Sequence, residues 1–264
     1  LAAFSNKFNS SSYKLEESKY AYGNFTKTEF TSLITEVREK GGFFVIPHPN
    51  YEDALLSSDW EDFDFGVDKV GFEVVERSLS EPATQLNYKN WKELLASGRK
   101  YFACAGSDIH GSLNGEAGNP QRAEKAITSV YVSEKNSVAY LEQFRDGNFT
   151  AGSVGIKMCT GKDGEQTAMG GECDFAGQRL VVEIGQFHQF VNNPGYKYHV
   201  VIITDKGAIY SQPLTLTENG PENAVIALDT KEEYKFYRVE VVDENDARRI
   251  AYGNPIWNTN VVTK

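Results

Sequence analysis

The chain has 264 residues, of which 40% are hydrophobic and 24% charged, and its formal net charge is −10. That length holds one large domain or two modest ones, and the composition is ordinary for a soluble globular protein. The charge argues against a nucleic-acid-binding face, which needs clustered Lys and Arg, and no apolar run approaches the length of a membrane span.

Residues 1–25 are rich in Ser, Asn, Lys and Tyr and read as a linker or as a segment covering a sheet edge. Thr26-Lys27-Thr28-Glu29 fits a capping box, and Phe30, Leu33, Ile34 and Val37 follow at helical spacing until Gly41-Gly42 stops the helix. The run 43–46 is apolar throughout, as expected of a parallel strand covered on both faces. It ends in Pro47-His48-Pro49, where two prolines remove two backbone donors and hold His48 in a rigid turn.

Residues 50–69 are acidic and aromatic and read as a solvated loop with one short helix. A strand over 70–75 carries Glu73 at its middle. The alternation leaves two readings open, a carboxylate facing solvent or a buried one that needs a partner. Pro82 starts a helix whose buried side is Leu86, Trp91, Leu94 and Leu95, with Gly98 at its end.

The strand over 101–105 then delivers Gly106-Ser107-Asp108-Ile109-His110-Gly111. Asp108 and His110 are two apart, so they point the same way in an extended segment. Imidazole nitrogen with carboxylate oxygen suits zinc, manganese or iron. The glycine-rich stretch 111–118 is a loop or a substrate lid, and Arg122 beyond it has the fork geometry to grip a phosphate. A strand over 126–132 and a helix marked by Val138, Leu141 and Phe144 complete the α/β winding.

From about residue 150, short β-rich runs alternate with turn signals such as Asn192-Asn193-Pro194-Gly195, which predicts an antiparallel sandwich of about six or seven strands. The expected divisions are therefore 1–25, an α/β domain over 26–150 and a β-sandwich domain over 151–264. His188 and His199 have no acidic or cysteine partner at ligand spacing and read as structural. Three cysteines, Cys104, Cys159 and Cys173, do not suggest a disulfide scaffold, although one bridge between the last two is open. The first residue is Leu1 rather than Met. The expectation is a processed or excised chain, which favours an extracytoplasmic location.

The segments Phe43-Phe44-Val45-Ile46-Pro47-His48-Pro49-Asn50, Val70-Gly71-Phe72-Glu73-Val74-Val75-Glu76 and Tyr101 to Gly111 resemble the second half of a PHP (polymerase and histidinol phosphatase) domain, over roughly residues 28–150. The closest flavour is the two-domain metal-dependent phosphoesterases with a β-rich C-terminal domain. The resemblance implies the latter part of a distorted (β/α)7 barrel followed by an all-β antiparallel sandwich. It implies His48, Asp108 and His110 as metal ligands, with Glu73 lining the site. It also implies hydrolysis of a small phosphorylated substrate by metal-activated water, with Glu73 or His110 orienting water or protonating the leaving oxygen and Arg122 binding substrate. The divalent metal would be zinc, manganese or iron.

The chain departs from that pattern in one respect. Its four histidines include no His-x-His, and none precedes His48. A complete cluster then needs ligands from a preceding segment or another chain. The alternative is a catalytically degenerate binding or structural module for a carbohydrate or protein partner. A serine hydrolase built on Ser107 lacks a Gly-x-Ser-x-Gly elbow.

Overall fold

The computed structural model describes residues 2–4, 26–50, 62–76, 82–106, 126–162, 164–187, 197–217, 220–222, 224–245 and 248–261. Helix α1 (Lys27–Glu39) begins with the capping box: the Glu29 N–H donates to Thr26 Oγ1 at 3.2 Å, and the Thr26 N–H donates to Glu29 Oε2 at 3.0 Å. Phe30, Leu33, Ile34 and Val37 are its buried stripe. It ends in a Schellman closure. Gly41 has φ 76°, its N–H donates to the Arg38 carbonyl, and the Gly42 N–H donates to that of Val37.

Strand β1 (Ala2–Phe4) lies antiparallel on β2 (Phe43–Ile46), with Phe4 opposite Phe43. Parallel to β2 run β3 (Val70–Glu76) and then β4 (Tyr101–Gly106). Helix α2 (Pro82–Ala96) links β3 to β4 and buries Thr84, Asn87, Tyr88, Trp91, Leu94 and Leu95, a three-to-four-residue spacing. Leu86, expected on that stripe, lies off it and is 44% exposed. The Trp91 indole N–H donates to the Tyr101 carbonyl at 2.9 Å, so the buried ring keeps its polar handle satisfied.

The expected barrel does not form. Among the described residues 49% lie in strands and 20% in helices, with three helices in all. The parallel ladder stops at β4. Strand β5 (Thr128–Val130) does not extend that ladder: it pairs antiparallel with β6 (Phe149–Gly152), which follows helix α3 (Ser137–Asp146). The physical reason lies at the edge of β4. Its Ala103 N–H donates to Asn254 Oδ1 at 2.7 Å and its Ala105 N–H to Thr128 Oγ1 at 3.2 Å. Side chains of the β-rich part thus take the donors that a further parallel strand would need.

Nor is the remainder a six- or seven-stranded sandwich. It comprises β7 (Val154–Lys162), β8 (Glu165–Ala168), β9 (Glu172–Cys173), β10 (Arg179–Phe187), β11 (Lys197–Thr204), β12 (Gly207–Thr217), β13 (Gly220–Glu222), β14 (Val225–Asp229), β15 (Phe236–Asp243), β16 (Arg249–Gly253) and β17 (Ile256–Asn258). One sheet has the order β14-β10-β7-β8. The other runs β13-β12-β11-β15-β16-β6-β5, with β17 on β15 and β9 on β17. All three cysteines are free thiols, and Cys173 Sγ lies 3.1 Å from Thr160 Oγ1.

The core runs between the parallel sheet and the larger antiparallel one. Phe102 of β4 packs edge-on against Phe149 of β6 at 6.1 Å and on Trp257 of β17 at 5.9 Å. Asn254 is fully buried at this seam, and its Nδ2 donates to the Gly147 and Phe149 carbonyls at 3.2 and 3.1 Å. A second tie is ionic. Glu240 of β15 is 1% exposed and accepts from Arg238 Nη1 and, at 2.7 Å, from Arg249 Nε. Arg238 Nη2 donates to the Tyr88 hydroxyl at 3.3 Å, and the Arg249 guanidinium lies 4.3 Å from the Tyr88 ring, so α2 is held to the sheet.

Candidate functional site

His48 follows β2 between two prolines and has φ 29°, on the left-handed side that residues with a Cβ disfavour. Its backbone N–H donates to the Glu73 carboxylate. Glu73 is only 6% exposed. The solvent-facing reading fails because residues 71–75 of β3 are all buried, so period-two alternation has no wet face to mark. A β-bulge in the β3–β4 register falls between Glu73 and Val75 and re-aims the strand just there.

The same carboxylate reaches β4. A Cβ placed on Gly106 would stand 1.6 Å from Glu73 Oε1, so only glycine permits this approach. One carboxylate therefore touches the C-terminal ends of both flanking strands. Cys104, opposite Glu73 in the register, is buried; burial first and the Glu73 charge second push its thiol far above the usual range. It is a neutral core thiol and not a nucleophile.

Asp108, His110 and Arg122 lie outside the described residues, as do Ser107, the loop over 111–118 and His188. The structure brings His48 and Glu73 together. Among the described residues no three His, Cys, Asp or Glu side chains gather. His199 sits apart on β11, with Nδ1 3.2 Å from Ser211 Oγ and Nε2 3.9 Å from a Glu244 carboxylate oxygen.

Three asparagines support the His48 turn. Asn50 Nδ2 donates to Asn87 Oδ1 at 2.6 Å, and Asn90 Nδ2 donates to Asn50 Oδ1 at 3.2 Å. Asn87 is fully buried. No motif in the sequence marks them as site residues. The available signal was a pair of asparagines three apart on one helix face, a residue type that helix interiors do not favour.

A cavity of about 430 Å³ opens at the other end of β2, lined by Arg38, Lys69, Arg145, Glu39 and Asp146 among others. Arg38 and Arg145 occupy the last turns of α1 and α3, where cations offset the exposed carbonyl ends. Neither His48 nor Glu73, the described candidates, lines it. No described helix is long and apolar enough to cross a membrane. No protein-family model matches the chain, and no curated protein or solved structure matches it either.

Proposed function

We propose that the C-terminal ends of β2, β3 and β4 form a metal-dependent centre that hydrolyses phosphate esters of a small substrate. The observation that carries this reading is the single Glu73 carboxylate, which is joined to the His48 N–H and packed on Gly106, two residues before Asp108. It rests on these strand ends and needs no barrel. The donor set of two imidazoles and carboxylates fits zinc, manganese or iron. His48, Asp108 and His110 would hold the ion, which supplies a Lewis acid and water acidified to near-neutral pH. Glu73 keeps the His48 turn in place and would orient the attacking water. His110 would protonate the leaving oxygen, and Arg122 would grip the phosphate.

A second reading is a binding or structural module. It is favoured by the same contact: Glu73 already serves as a pin between strand ends, a task that needs no chemistry. The test is elemental analysis of the purified chain after mild dialysis. Near-stoichiometric zinc, manganese or iron, lost in Asp108→Ala and in His48→Ala, supports the centre. A metal-free chain that still melts cooperatively and fails to hydrolyse aryl phosphates turns the assignment to the module.

A further inference from the structure

The left-handed His48 is not held by its own neighbours alone. Pro47 and Pro49 fix their own φ, and Pro49 biases the residue before it toward extended backbone, so the prolines alone do not account for φ 29° at His48. Two contacts among the described residues bear on that position. One is the Glu73 carboxylate on the His48 N–H. The other is two residues on, where the Asn50 carboxamide is held at both ends by α2: Asn87 accepts from its nitrogen and Asn90 donates to its oxygen. Asn87 and Asn90 lie three apart, so they share one helix face. They offer one acceptor and one donor, the complement of a single amide.

We propose that the Asn50–Asn87–Asn90 clamp is a positioning device for His48. By pinning the chain two residues beyond the imidazole to a helix buried in the core, it holds His48 in a backbone conformation that it would otherwise leave. Glu73 is the other half of the device. The inference rests on the metal-centre reading for its purpose, though not for its geometry. It assigns Asn50, Asn87 and Asn90 to the site without any contact to substrate or metal, as groups acting through His48. Groups that orient a ligand in this way typically change metal affinity by about ten- to a hundredfold when removed.

The experiment uses the full chain with Zn²⁺ alone as the probe. Amide nuclear magnetic resonance follows the His48 N–H, whose bond to a carboxylate should shift its proton downfield, and calorimetry follows Zn²⁺ binding. In Asn50→Leu the expected result is a His48 resonance that moves or broadens, with Zn²⁺ affinity lower by about ten- to a hundredfold. Asn87→Asp, which keeps an acceptor, should retain the native resonance. A His48 resonance unchanged in Asn50→Leu overturns the clamp, whatever zinc does. A native chain that takes no Zn²⁺, with the resonance displaced in Asn50→Leu, leaves the clamp standing and removes the metal reading. Where Asn50→Leu fails to fold, Asn90→Ala removes only one of the two bonds and carries the same comparison.

Discussion

Glu73 Oε1 occupies the space in which a Cβ on Gly106 would stand, 1.6 Å from it. The two residues belong to neighbouring parallel strands, and a side chain on Gly106 would have to displace the carboxylate. Gly106→Ala should force the carboxylate off the His48 N–H. The expected loss is about 1–3 kcal/mol, the range for overpacking a closed site. Urea unfolding measures it. A variant as stable as the parent would show that the strand ends have more room than the structure gives them.

Glu73→Gln keeps the shape of the side chain and removes its charge. A hydrogen bond to a charged acceptor contributes about 1.5–3 kcal/mol, roughly twice a neutral one, so about half of that should be lost. The native fold should survive, as judged by circular dichroism. Under the proposed function, aryl phosphate hydrolysis by the metal-loaded chain should fall at least tenfold. Full activity would remove Glu73 from the chemistry and leave it the pin alone.

The buried cluster on β15 should set the acid limit of the fold. Burial alone would raise the Glu240 carboxyl, but Arg238 and Arg249 overcome it and hold the group below its ordinary value of 4.5. A depressed carboxyl contributes stability above its unfolded value and loses it as pH falls through the folded one. Stability referred to this group should therefore be level above about pH 4.5 and decline below it. Glu240→Gln should flatten that decline while costing about 3–5 kcal/mol at pH 7, because the buried Arg238 and the half-buried Arg249 lose their counter-charge. Urea unfolding at pH 7 and at pH 3.5, on both proteins, tests the slope and the offset together.

Asn254→Ala should leave the Ala103 N–H and the Gly147 and Phe149 carbonyls short of a partner. Each buried orphan costs about 1–3 kcal/mol, so a total near 3 kcal/mol or more is expected. Hydrogen exchange at Ala103 should accelerate more than at Val239, in the centre of the larger sheet. Equal acceleration at both would mean that Asn254 serves the whole fold and not the seam.

What the sequence made legible was local. The Thr26 capping box, the Gly41 stop and the apolar run over 43–46 are each decided by residues within one turn or strand, and all three hold. At His48 the turn itself was legible in Pro47 and Pro49, but its ties to Glu73 and to α2 were not. Glu73 itself was not, because alternation separates wet from dry faces only in strands that have a wet face, and β3 is buried on both. Arg238 and Glu240 carry no local mark of burial either. They alternate with Tyr237, Val239 and Val241 as an exposed face would, yet α2, from 150 residues upstream, covers them. The barrel failed at Asn254. A lone asparagine near the end of the sequence carries no local mark that it caps a strand edge formed by residue 103.

That last contact has a consequence for synthesis on the ribosome. Ala103 must wait for a residue 151 positions later before its edge is closed. At 5–20 residues per second, the nascent chain carries an open, apolar parallel sheet for roughly 8–30 s. During that interval the Ala103 N–H stays without its Asn254 partner and open to any extended neighbour, including a second nascent chain on the same message. Translation speed, and not only final stability, then governs how much of this protein reaches its native form.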